Sequence, residues 1–266
     1  MTDLQGKPLA VVTGASSGIG RELAKEFADH GFDLVVAAED YRIEDAGDEV
    51  RAHGADVLTV RADLATRRGL DRLTAALFAG ARPVAAAALN AGVGQGGSFV
   101  HTDLADEERI IDLNVTSTVA LAKNLLPAMV ERGTGRVLFT SSLAATMPGA
   151  YQAVYNASKS FVQSFAEALM TELEGTGVTV TSLMPGATDT EFFERADMLD
   201  TRLGSGDKDD PGLVARQGFE AMMAGRPRVV AGSPGTKAQE LANKGLPDRA
   251  KSRLHGRMAE PGSAGD

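Results

Sequence analysis

Two residues four positions apart, Tyr155 and Lys159 in Tyr155-Asn156-Ala157-Ser158-Lys159, carry side chains able to move a proton. On a helix, residues four apart lie one above the other on the same face, so the phenol and the ammonium address one point in space. A nearby cation favours the ionised form of a phenol and draws its pKa, ordinarily about 10, toward neutrality. A tyrosine tuned this way serves as a general acid or base near pH 7. Tyr–Lys pairs at this spacing also occur on ordinary solvated helices, so the chemistry depends on what else the chain brings to the pair.

The elements that would position the pair alternate. Apolar runs at residues 8–13, 32–38, 56–60, 83–89, 135–140 and 178–184 read as strands, with a short one at 228–231. Between them lie helical stretches: one after Gly20 with Leu23, Ala24 and Phe27 at helical spacing and Gly31 as its stop, one ending near His53, and others at about 66–79, 106–131, 151–174 and 213–223. Strands that are apolar throughout, alternating with helices, indicate a doubly wound parallel sheet covered on both faces, a three-layer α/β/α Rossmann arrangement. The 266 residues, 43% hydrophobic, suffice for one substantial core. We expect one catalytic domain over residues 1–255, a substrate loop at about 187–212 and a disordered tail at 256–266. The run TRLGSGDKDDPG at 201–212 reads either as the hinge of a lid or as an ordinary mobile loop. Residues 238–258 read as a surface helix with basic Arg249, Lys251, Arg253 and Arg257.

Composition excludes several functions. A formal charge of −9 and a pI near 5.0 argue against general attraction to nucleic acid or anionic membrane. There is no cysteine, hence no disulfide or thiolate metal site. His30, His53, His101 and His255 are scattered without ligand spacing, so no metal is expected. A Ser/His/acid hydrolase is disfavoured, because Ser142 lacks the surrounding G-x-S-x-G of a nucleophile elbow. Residues 1–5 carry no basic stretch followed by an apolar one, and no apolar run approaches the ~20 residues of a membrane span, so a cytoplasmic protein is the expectation.

The first strand breaks into Gly14-Ala15-Ser16-Ser17-Gly18-Ile19-Gly20 and a helix follows. Strand, glycine-rich turn and helix in that order suit a dinucleotide. The glycines allow close backbone approach, and the helix N-terminus offers N–H groups to a pyrophosphate. The spacing is neither G-x-G-x-x-G nor that of a Walker loop. A plain glycine-rich turn would read the same way.

Together with the other motifs, this turn resembles the short-chain dehydrogenase/reductase family in its shorter, single-domain branch. Thr13 through Gly20 is similar to that family's TGxxxGxG, and Tyr155-xxx-Lys159 to its YxxxK. Ser142 stands thirteen residues before Tyr155, where the family places a catalytic serine. Asn90-Ala91-Gly92 resembles the NAG turn, and Asn114 the asparagine of the family's proton relay. Asp63-Leu64 resembles the adenine-contacting pair, and Pro185-Gly186-Ala187-Thr188-Asp189-Thr190 the PGxxxT segment at the nicotinamide end. These motifs follow the family's order from Thr13 to Thr190.

The resemblance implies hydride transfer between a nicotinamide cofactor and an alcohol or carbonyl carbon. Tyr155 would be the general acid/base, and Lys159 would lower its pKa and hold the nicotinamide ribose. Ser142 would fix the substrate oxygen, and Asn114 would hold a water linking Lys159 to solvent. It also implies cofactor contacts at Gly14, Ser16, Ser17, Gly18, Ile19, Gly20, Glu39, Asp63, Leu64, Asn90, Ala91, Gly92, Pro185, Gly186, Thr188 and Thr190. The residues alone leave other readings open: Ser142 as a strand-end turn residue, Asn114 as a solvated helix residue, Asp63 as a helix cap. Glu39 and Asp40 after the second strand favour NAD over NADP, although the acid that marks NAD would sit at Ala38, and Arg21 and Arg42 keep NADP open. The expected substrate walls, 143–151, 93–99 and the stretch after Thr190, carry Leu143, Met147, Phe99, Phe192, Phe193 and Met198, with acidic Glu191, Glu194 and Asp197, which suits a neutral, apolar small-molecule alcohol or carbonyl compound and argues against a strongly anionic one. The resemblance also implies a homodimer or homotetramer through the helices at about 106–131 and 151–174, with Ala153, Ala157, Phe161 and Phe165 on the latter. The competing reading is a catalytically silent dinucleotide-binding regulator or scaffold.

Overall fold

A computed structural model describes residues 6–80 and 82–265. The expectation about residues 1–5 lies outside them, as does residue 266 of the expected tail. The strands are β1 (Leu9–Thr13), β2 (Asp33–Ala38), β3 (Val57–Arg61), β4 (Val84–Leu89), β5 (Gly135–Thr140), β6 (Val178–Pro185) and β7 (Arg228–Ala231). They form one parallel sheet in the order β3-β2-β1-β4-β5-β6-β7. The helices are α1 (Gly18–Asp29), α2 (Arg42–Ala52), α3 (Arg67–Phe78), α4 (Leu104–Ile110), α5 (Ser117–Arg132) and α6 (Ala153–Glu172). After β6 come α7 (Phe192–Arg195), α8 (Arg202–Ser205), α9 (Pro211–Met223), α10 (Pro234–Lys244) and α11 (Asp248–Ala259).

Alternation along each strand divides the core. Successive side chains point to opposite faces, so Val11 joins Val35, Leu73, Leu121 and Phe139 on one side, while Val12 joins Leu23, Phe27, Val36 and Phe219 on the other. Phe27 of α1 meets Phe32 and Phe219 edge-on, with ring centroids 5.2 and 5.0 Å apart, which seats α1 firmly on the sheet. A smaller cluster of Phe193, Ala196, Met198 and Ala259 lies beyond β6.

The strand order reverses between β1 and β4, whose carboxyl ends therefore open a crevice. The Gly14–Gly20 turn leaves β1 there, and Asn90–Gly92 leaves β4. Topology alone brings two of the expected segments together.

Three local expectations are corrected. The stretch expected as one helix at 106–131 is α4, a π-helical segment Ile111–Thr116, and α5. A π turn accommodates one extra residue, and Asn114 in its middle is turned fully inward. Residues 238–258 are not one surface helix, because Gly245 and Pro247 separate α10 from α11. The tail expected to be disordered is packed. Ala259 is buried, the Ser263 hydroxyl accepts from the Arg202 N–H at 3.1 Å, and the Ala264 N–H donates to the Asp200 carbonyl at 2.9 Å. Its bonds are to backbone and side chains of the 200–202 stretch, which its own polar composition did not reveal. The 201–212 run is likewise tied down: Thr201 caps α8, and Asp209 bridges Thr188 and donates to the Ala187 carbonyl at 2.8 Å.

Candidate active site

Ser142 follows β5 and caps a 3₁₀ turn, Leu143–Thr146, with its Oγ accepting from the Ala144 N–H at 3.1 Å. That turn faces α6, and the Ser142 hydroxyl donates to the phenol of Tyr155. One turn further along α6, Lys159 is buried, its Nζ donating to the Thr140 carbonyl at 3.0 Å and lying 5.9 Å from the centre of the Tyr155 ring. Phe192 packs on the Tyr155 ring at 5.0 Å.

Burial governs both titratable groups. It pushes the Tyr155 phenol up to about 12, against the opposing bond from Ser142, and it draws the Lys159 ammonium down to about 8. The expectation that Lys159 pulls the phenol toward neutrality is therefore reversed: burial dominates, and the group that opposes it is Ser142. Near pH 7 the phenol is protonated, which suits a proton donor.

Asn114 lies behind this pair. Its Nδ2 donates to the Val93 carbonyl and to Ser158 Oγ, both at 2.9 Å, and its Oδ1 accepts from the Val93 N–H at 2.9 Å. The amide thus holds the strand that leaves β4. A Cβ on Gly92 would come within 3.1 Å of both Asn114 Oδ1 and Lys159 Nζ, so a glycine lets these groups share one small space.

The glycine turn is equally tight. A Cβ on Gly20 would stand 2.1 Å from the Gly14 carbonyl, and one on Gly18, whose φ is +53°, would stand 2.8 Å from Thr190. Thr13 Oγ1 accepts from the Asn90 and Ala91 N–H groups at 2.9 and 3.0 Å, and Asn90 Oδ1 accepts from Thr140 at 3.0 Å, which locks the ends of β1, β4 and β5 together. Ser17 precedes α1 without capping it through its side chain, so the first N–H groups of α1 face the crevice. A bare, uncapped helix N-terminus beside glycines that leave no room for a Cβ without a shift fits a pyrophosphate.

A cavity of about 400 Å³ runs from this turn past Tyr155. Every residue expected to touch cofactor or substrate oxygen lines it, except Gly20 and Asn114, which stand behind the wall. Of the expected substrate residues, Leu143, Met147, Val93, Phe192 and Phe193 line it too. Phe99, however, is 60% exposed and away from the cavity, and Met198 is buried behind it.

Sequence reasoning missed the ion pairs around the far side of the turn. Arg109 binds both Glu39 and Asp63. Asp40 accepts from Ser16 at 3.1 Å and from Arg42, and Arg42 reaches Glu191 at 2.5 Å. Burial raises the Asp40 carboxyl, but the bonds from Arg42 and Ser16 outweigh it and hold the group below its usual range. The cap of α3 is Thr66, not Asp63. Also missed were two buried amide nitrogens on cavity-lining residues, Gln152 Nε2 and Asn243 Nδ2, which have no hydrogen-bond partner among the described residues.

Among known proteins, the sequence pattern of the family described as short chain dehydrogenase matches residues 8–198. Over 201 residues the chain is 34% identical to a short chain dehydrogenase of Pseudocercospora fijiensis, covering 74% of this chain and 65% of that protein, a little under two thirds of the relative's length. A short-chain dehydrogenase from Sphingobium yanoikuyae, solved in complex with NADPH, superposes with a TM-score of 0.79 at 30% identity, covering 90% of this chain and 94% of the other. A short chain dehydrogenase/reductase from Burkholderia phymatum, solved in complex with NAD, gives a TM-score of 0.81 at 27% identity over 91% and 94%. The match spans most of the sequence and the likeness most of the fold: the chain belongs to the short chain dehydrogenase family.

Proposed function

We propose that the protein is an oxidoreductase that interconverts an alcohol and a carbonyl compound with a nicotinamide cofactor. The observation that carries this reading is the protonated Tyr155 phenol, bonded by Ser142, in the same cavity as the uncapped glycine turn. When bound, the nicotinamide supplies or accepts the hydride. The α1 N-terminus and Ser16 to Ile19 would hold the pyrophosphate, Asp63 and Leu64 the adenine, and Lys159 with the Asn90–Gly92 turn the ribose beside the nicotinamide. Tyr155 gives its proton to the substrate oxygen in reduction and takes one in oxidation. The Ser142 hydroxyl donates to the same oxygen and orients it. Leu143, Met147, Phe192 and Phe193 exclude water and receive the apolar part of the substrate.

For the cofactor, the charges favour NAD over NADP. A 2′-phosphate at the end of β2 meets Glu39 and Asp40, while the nearby guanidinium groups of Arg109 and Arg42 are engaged by carboxylates. We further propose a homodimer or homotetramer through α5 and α6. Phe161 is 42% exposed and stacks on Phe165 on the outer face of α6, in line with exposed Ala153 and Ala157.

The test is absorbance at 340 nm with NADH and with NADPH against aldehydes, ketones and quinones, for the natural protein and for Tyr155→Phe. Turnover that falls by about 10²–10⁴-fold in the variant supports the reading. Cofactor binding with no turnover of any compound, and no effect of Tyr155→Phe, favours the silent regulator instead. Light scattering of Phe161→Glu tests the assembly, which should dissociate.

A further inference from the structure

The C-terminal helices close the cavity at the β7 edge of the sheet, and each turns a polar pair four residues apart toward it: Gln239 and Asn243 on α10, Lys251 and His255 on α11. These helices lie outside the stretch that matches the family pattern. The N-terminal turn of α10 packs its Thr236 against Gly186. Asn243 is seven residues further on, roughly 10 Å along the helix axis at 1.5 Å per residue.

Asn243 is only 6% exposed, and its Nδ2 is the unpartnered nitrogen described above. Native proteins rarely retain a buried donor without a partner, and where they do, a bound group or ordered water completes it. Lys251 supplies charge in the same cavity. Its Nζ donates to the Thr146 carbonyl at 3.2 Å, with Asp248 at 3.4 Å, which leaves one of its three donors unassigned. His255 donates from Nδ1 to the Ala150 carbonyl at 3.0 Å, so α11 is anchored at both ends of the connection between Ser142 and α6. Asp207, an acid that also lines the cavity, is exposed to solvent. The cavity that this polar end shares with Tyr155 is also lined by the apolar Phe193, Leu254 and Met258.

We propose that Asn243 and Lys251 form a subsite for an oxygen-acceptor group, a carboxylate above all, at the end of the substrate remote from its reacting carbon. The substrate is then an oxo or hydroxy compound with an apolar body and an acceptor terminus. This rests on the oxidoreductase reading and names the substrate class of the same site.

The test compares kcat/KM for three straight-chain aldehydes of matched length, ending in a carboxylate, in its methyl ester or in a methyl group, each in several chain lengths. With the natural protein and saturating cofactor, the carboxylate should exceed the methyl-terminated compound by about tenfold or more at the best length, the ester falling between. Asn243→Leu should collapse that ratio, Asn243→Asp should turn it against the carboxylate, and Lys251→Met should bring the carboxylate down to the ester. Ratios are taken within each variant, so a loss of folded protein cancels. Equal kcat/KM for the three compounds at every length, or a preference that survives Asn243→Leu and Lys251→Met, overturns the subsite and leaves the oxidoreductase reading standing. Absence of turnover for all three, with cofactor bound and the wider carbonyl panel equally silent, overturns both.

Discussion

Gly20→Ala isolates the cofactor cradle from the chemistry. The new Cβ would stand 2.1 Å from the Gly14 carbonyl oxygen and 2.6 Å from Asn90 Nδ2. A carbon–oxygen contact settles near 3.3 Å, so turn and helix must part by about 1 Å. Neither side yields freely: Gly14 follows Thr13, which is bonded to Asn90 and Ala91, and α1 is held by Phe27 against Phe32 and Phe219. The cost to stability is that of overpacking, about 1–3 kcal/mol, a fall in Tm of roughly 2–12 °C for a chain of this size. The cost to binding is larger. A shift of about 1 Å takes one or two charge-assisted N–H bonds out of range, about 3 kcal/mol, and raises the cofactor Kd about 10²-fold. Titration of NADH fluorescence reads that change, and calorimetry reads the Tm. Gly245→Ala, where a Cβ meets nothing within 4 Å, is the control and should leave both unchanged. A folded Gly20→Ala protein that binds NADH within twofold of the natural one refutes the reasoning.

Other substitutions probe the remaining links. Lys159 is held near 8 in the folded chain against about 10.4 unfolded, so between these values the unfolded chain binds the extra proton and stability rises with pH. Above about 10 the trend reverses, because Tyr155 keeps its proton to about 12 only when folded. Thermal unfolding of Lys159→Met should lose the rise from pH 8 to 10. Asp40→Ala takes from Arg42 one of its two carboxylate partners, leaving Glu191, and weakens the hold on Arg195, and should raise the kcat/KM ratio of NADPH to NADH by about tenfold. An unchanged ratio would show that Arg42 does not reach the 2′ position. Phe27→Ala should lower stability by about 3–5 kcal/mol, or roughly 6–20 °C in Tm, with little change in KM once folded.

Much of the fold could be read from period and order, because the central parallel strands are buried on both faces and the helices that cover them carry an apolar stripe. The motifs that line the crevice were legible for a related reason: they follow strand ends, and the strand order brings those ends together. What was not legible depends on contacts distant in sequence. Arg42 and Glu191 are 149 residues apart, and nothing near either one announces the other. The π segment hides inside a continuous helical pattern, since it is flanked directly by α-helix on both sides and its residue types do not set it apart. The delayed start of α6, at Ala153 where 151 was expected, follows from the left-handed backbone of Tyr151, whose φ is 64°. The polar pairs of α10 and α11 did stand in the sequence at helical spacing, but only the fold shows that they face inward. Read as a surface helix, the stretch pointed to solvent instead of a cavity.

The packing of residues 259–265 on the 200–202 stretch separates the two halves of the site in time. Every expected cofactor contact lies between residues 13 and 190, whereas the polar end of the cavity needs residues 243–255, seated by those that follow. At translation rates of roughly 5–20 residues per second, the second group leaves the ribosome roughly 3–10 s after the first. A nascent chain therefore carries the expected cofactor contacts and the apolar substrate walls before the polar end of the cavity exists.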